Sequence, residues 1–189
     1  VCLWMRHPIT IDRSLLGLLA LRGFFLILAT YCFMAAIAVM PIADALAIVF
    51  IEPFILLVMG KWLFNEQVGR RRISASIIGF AGVLLVIQPS FSIFGLVALF
   101  PLGTALAFAF YMLVTRRLSR QMEPVPMQLH TATLATAMCL PILLWGHLSD
   151  HPTLSPLLAP VMPEGIAWLW LLGVGVFASL SHLLITYAL

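Results

Sequence analysis

Residues 73–115 contain no Asp, Glu, Lys or Arg. A helix needs about 20 apolar residues to cross roughly 30 Å of hydrocarbon. A 43-residue uncharged run is too long for one crossing and suits two. Gln88-Pro89-Ser90-Phe91-Ser92 supplies the turn between them. Further uncharged runs cover residues 23–43, 124–149 and 165–189. Asp44–Phe64 is also apolar, although it carries Asp44, Glu52 and Lys61. Six spans are therefore predicted: 22–41, 44–64, 73–88, 94–115, 127–148 and 165–188, with Val1–Met5 as the tail of an earlier one. The runs are continuous and lack the alternation of transmembrane barrel strands. The expected fold class is all-α, a polytopic membrane helix bundle.

Composition excludes the soluble classes. Hydrophobic residues make up 63% of the 189 and charged residues 9%, where a soluble domain carries about 25% charged. Mean hydropathy is +1.13. A water-soluble globule of this length could not hide so much apolar surface. The net charge of +3 is too small and scattered to form a nucleic-acid stripe. Cys2, Cys32 and Cys139 form no C-x-x-C pair, so neither a disulfide framework nor a zinc knuckle is expected. The chain starts at Val1 and stops at Leu189 within an apolar run, with no signal-peptide pattern, and reads as a piece of a longer membrane protein.

The cations give an orientation. Arg6, Arg13 and Arg22 precede the first predicted span. Lys61 ends the second, Arg70, Arg71 and Arg72 follow it, and Arg116, Arg117 and Arg120 follow the fourth. If the spans alternate, all ten fall on one side. The positive-inside rule makes that side cytoplasmic and the protein multi-pass in the cell inner membrane. The loop Ser149–Glu164, with Pro152, Pro156, Pro160 and Pro163, reads as an extended external connector.

Polar residues inside the spans carry the chemistry. Glu52 lies near the middle of the second, with Pro53 beside it. A carboxylate at that depth is costly unless it faces a cavity, finds a partner or takes a proton. Pro53 lacks a backbone donor and kinks the helix. Together they suit a substrate or proton site, or else a protonated Glu held against a neighbouring helix for packing. Asp44 is read as a helix cap, and Lys61 as a cation reaching the headgroups. Glu66 can pair with Arg70 or Arg72, and Glu66, Arg70, Arg71 and Arg72 form a charged cytoplasmic turn. Tyr31, Tyr111 and His182 are further candidates to line a cavity; Thr104 and Tyr187 are also polar within spans. His130 sits near the cytoplasmic end of the fifth span. Ala75/Gly79/Val83, Ala105/Ala109 and Gly173/Gly175 form small faces suited to close helix approach. No pair of histidines has metal-ligand spacing, and no hydrolase or phosphate-binding motif occurs, so no metal, cofactor or enzymatic activity is expected.

The stretch Ala43–Pro89 resembles the EamA-type carriers of the drug/metabolite transporter superfamily. The resemblance rests on Glu52-Pro53 in a small-residue helix, Glu66 after it, the basic turn Arg70–Arg72, and Gly79, Gly82, Val83 and Leu85 in the next helix. Ala36–Pro41 resembles the turn before it. The resemblance implies ten spans in two inverted five-helix repeats, here 1–92 for the end of span two to span five and 93–189 for spans six to eight. At an offset of 152, Leu19, Gly23 and Phe25 match Leu171, Gly175 and Phe177.

The expected function is secondary transport of a small metabolite or drug-like solute by alternating access. Glu52 would be the polar anchor or proton-coupling group, and Pro53 the kink. Partners would be the solute and membrane lipid, with no nucleic acid; a homodimer is left open. The alternatives are a membrane enzyme acting on lipid-linked groups, for which the external loop offers His147, Asp150, His151 and Glu164, and a non-transporting scaffold.

Overall fold

The computed structural model of the chain describes residues 13–64, 69–87, 95–148 and 162–188. Every regular element among them is helical. A 3₁₀ turn at Arg13–Leu15 leads into α1 (Leu16–Ile37). Then come α2 (Ile42–Val49), α3 (Glu52–Phe64) and α4 (Arg70–Ile87). A second 3₁₀ turn, Gly95–Ala98, opens α5 (Leu99–Leu118), followed by α6 (Pro124–Leu148) and α7 (Ala167–Ala188). Gly95 and Gly165 both take positive φ, at 47° and 52°, and each stands just ahead of a helix where L side chains are strained.

Among the described residues, five segments are long and apolar enough to cross a membrane: Arg13–Ile37, Ile42–Leu63, Gly95–Leu118, Pro124–Gly146 and Ala167–Ala188. The all-α membrane bundle is thus borne out. The predicted third span is the exception. It forms α4, whose first turn is Arg70, Arg71 and Arg72, all exposed. With three arginines among its 18 described residues, α4 does not join that set.

Two further expectations change. The first span begins earlier than residue 22, because Leu16–Leu21 already belongs to the apolar helix. Arg22 therefore lies inside α1 rather than ahead of it. The second span is two helices rather than one kinked helix, with Phe50 and Ile51 between them. Pro53 explains the break. It has no N–H to offer the Val49 carbonyl, and its ring crowds that carbonyl. The chain instead closes with bonds from Ile51 N–H to the Ile48 carbonyl at 3.1 Å and from Phe54 N–H to the Ile51 carbonyl at 3.0 Å.

The described residues pack as two units. One comprises residues up to Phe24 and from Thr115 onward; the other is Phe25–Val114. In the first, α6 packs on α7, and Leu19, Leu118 and Met127 are fully buried. Gly23 brings α1 close to α6: a Cβ there would lie 3.5 Å from the Ala135 nitrogen and 3.6 Å from the Thr131 carbonyl oxygen.

In the second unit, Ala36, Met40 and Ala45 form a buried cluster covered by Phe33, Ile37 and Val97. Phe25 stacks on Phe110 with centroids 5.0 Å apart, joining α1 to α5. Gly103 of α5 faces Cys32, and a Cβ there would come within 3.3 Å of Sγ. α4 packs against both α2 and α3, with Phe54 edge-on to Phe80 at 5.6 Å. Of the expected small-residue faces, Ala105 and Ala109 are fully buried. Gly79, Gly173 and Gly175 face open space among the described residues.

Candidate functional site

A guanidinium dominates the first unit. Arg22 is fully buried, six residues into α1. Arginine carries five N–H donors on a planar fork and stays charged. Its Nε donates to Thr115 Oγ1 at 2.8 Å and its Nη1 to Thr131 Oγ1 at 2.6 Å. Longer contacts reach Gln128 Oε1, at 3.3 Å from Nη1 and 3.4 Å from Nη2, and Thr186 Oγ1 at 3.5 Å from Nη2. Thr186 in turn donates to the His182 carbonyl at 2.7 Å. Thr115, Thr131 and Thr186 are themselves buried. One arginine thus links α1 to α5, α6 and α7. His130, next to Thr131, is also buried, and its Nε2 has no hydrogen-bond partner among the described residues.

Sequence reasoning missed this cluster. It placed Arg22 among the flanking cytoplasmic cations, because a charge beside an uncharged run looks like its boundary. The signal that points inside is the uncharged stretch Ser14–Leu21 ahead of Arg22, with Gly23 directly after it. An apolar run on both sides of a cation marks a residue within a helix, and the glycine allows a close neighbour.

The second unit holds the helix break. Glu52 is the first residue of α3 and is half-buried, while Pro53 is exposed. Glu52 thus stands at a helix N-terminus, where the first-turn N–H groups of Phe54 and Ile55 are taken by the Ile51 carbonyl. The sequence put it mid-helix; the break puts it at an end within the span. Asp44, expected as a side-chain cap, is the third residue of α2. The cap position is Pro41, with no side-chain cap bond, so Asp44 complements the dipole only.

The other candidates divide between the units. Tyr31 is half-buried and Tyr111 fully buried in the second, Tyr111 stacking on Phe108 at 5.3 Å. His182 is half-buried in the first. The expected grouping of Glu52, Tyr31, Tyr111 and His182 is therefore spread over two separately packed units. Arg70, Arg71 and Arg72 form the exposed first turn of α4, and Glu66 lies outside the described residues. So do Asp150, His151 and the side chain of His147, leaving an exposed Glu164 as the described member of the external group.

Residues 1–88 match the EamA-like transporter family. Over that stretch the chain is similar to EamA-type transporters. The resemblance read from Glu52-Pro53, the arginine turn and the glycines of α4 is borne out by that match.

Relatives extend the comparison over the rest of the chain. It is 31% identical over 165 residues to a riboflavin transporter of Vibrio cholerae, covering 86% of the chain and 51% of the relative. A riboflavin transporter of Rhizobium johnstonii is 32% identical over 92 residues, 49% of the chain and 30% of the relative. The pseudopaline exporter CntI of Pseudomonas aeruginosa is 25% identical over 190 residues, covering 100% of the chain and 63% of the relative. The chain thus spans about half the length of the relatives it matches. No solved structure matches it.

Proposed function

We propose that this chain is the central part of a multi-pass inner-membrane carrier that moves a small organic solute by alternating access. It is a carrier rather than an enzyme or a scaffold, with Glu52 as solute anchor or proton-coupling group. The observation that carries this reading is Glu52 at the broken end of a helix within the stretch that matches a transporter family. Discontinuous spanning helices present half-helix ends to solutes and coupling ions near mid-depth. Relatives named for riboflavin transport and pseudopaline export support a small organic solute. The cation bias supports an inner-membrane orientation with Arg116, Arg117 and Arg120 in the cytoplasm. The family match ends at residue 88, close to the proposed division between repeats 1–92 and 93–189, which supports the two-repeat organisation.

The test uses the full-length gene product in sealed vesicles. Uptake of riboflavin, then of a metabolite library, is followed with and without a pH gradient, beside Glu52→Gln. The expected result is gradient-driven uptake of at least one solute, reduced tenfold or more by the substitution. Uptake that survives Glu52→Gln removes Glu52 from the site. Absence of transport for every solute overturns the carrier reading.

A further inference from the structure

Arg22 and its partners occupy one end of the first unit. Arg22 and Gln128 are near the starts of α1 and α6, and Thr115 and Thr186 near the ends of α5 and α7. Arg13, Arg116, Arg117 and Arg120 mark the same end. Arg22 is about 9 Å along the axis from the start of α1. All four helices are tied at this level through one side chain, and Arg22 is sealed from solvent.

We propose that Arg22 is the latch of a gate at the arginine-rich end: the Arg22–Thr115–Thr131 bonds hold α1, α5, α6 and α7 together, and their release opens that end to water. The inference rests on the carrier reading for what the gate admits, but the latch itself is a property of the helix contacts.

The chemistry suits a contact that breaks and re-forms. A seal made only of carbon would expose apolar surface at each opening. A guanidinium bonded to hydroxyls and an amide exchanges those partners for water with little net change. Burying a cation is expensive, so a hydrated open state competes with the closed one. Packed carbon of the same volume commonly stabilises as well as a buried charged network or better, so stability alone gives no reason for an arginine here. The partners are graded as well. The short bonds to Thr115 and Thr131 hold the guanidinium, while the contacts to Gln128 and Thr186 lie at 3.3–3.5 Å.

The experiment measures access directly. In the full-length protein, Cys2, Cys32 and Cys139 are replaced, and Met127, fully buried beside Gln128, becomes a reporter as Met127→Cys. Inside-out vesicles are treated with a membrane-impermeant maleimide. Slow labelling is expected with Arg22 present, at least tenfold faster labelling with Arg22→Gln, and an intermediate rate with Arg22→Lys. If Arg22→Gln does not fold, Thr131→Val and Thr115→Val replace it, with labelling expected to rise several-fold. Equal rates in all variants overturn the latch. So does an Arg22→Gln protein that labels slowly but loses stabilisation by the transported solute, since Arg22 would then be a solute contact. Labelling that responds to Arg22 in a protein that moves no solute sinks the carrier reading and leaves the latch standing.

Discussion

At the scale of single residues, depth decides what a charge does. Arg22 and Arg13 are nine positions apart, yet Arg13 is exposed and Arg22 is enclosed by three hydroxyls and an amide. Charge counting gave both the same role, because it reads the edge of a span from the nearest cation. The partners were not legible at all: Thr115, Gln128, Thr131 and Thr186 lie 93 to 164 positions away. The grading of the bonds makes a measurable difference. Thr131→Val removes the 2.6 Å acceptor and leaves a buried N–H without it, which should cost about 1 kcal/mol. Thr186→Val loses only a 3.5 Å contact with Arg22 and should cost less than about 0.6 kcal/mol, a typical value for a polar contact between membrane helices. Thermal unfolding of the full-length protein in micelles checks the order; equal effects would mean that the short bond is not the stronger one.

At the scale of elements, hydropathy read the helices well and their interruptions less well. Uncharged runs located α1, α5, α6 and α7, because lipid demands long apolar helices whatever surrounds them. The Glu52-Pro53 pair was legible as a disturbance. That it separates α2 from α3 was not, since proline in a helix either bends or ends it according to its neighbours. Pro141 illustrates the other outcome, because α6 runs through it without a break. Pro53→Ala supplies the N–H that Val49 lacks and should let α2 and α3 join. The expected outcome is slower amide exchange from Phe50 to Phe54 and a transport rate lowered several-fold, without loss of thermal stability. Unchanged transport with a joined helix would make the break incidental.

At the scale of the whole molecule, five of the described helices meet the length and composition of a membrane span, and the predicted alternation counts α4 as a crossing too. The alternation that follows puts Ser119 and Met162 on opposite sides of the membrane. Single cysteines at those two positions, in a cysteine-free background, should each react with an impermeant reagent from one side only. Ser119→Cys should label in inside-out vesicles and Met162→Cys in intact cells; labelling of both from one side would refute the alternation. The class of protein was legible because bilayer thickness constrains sequence directly. The clustered site was not, because the sequence supplies depth along each helix but not which faces meet.

The splitting of the second span also has a mechanical side. A helix eight residues long and another of thirteen, joined through Phe50 and Ile51, make a rod cut at one point. α4 lies against both pieces and so acts as a splint across the cut. The bending stiffness of this rod is therefore not stored in its own backbone. It resides in side-chain contacts with a neighbour, such as the edge-on meeting of Phe54 and Phe80, and a change in α4 can soften a span to which it does not belong.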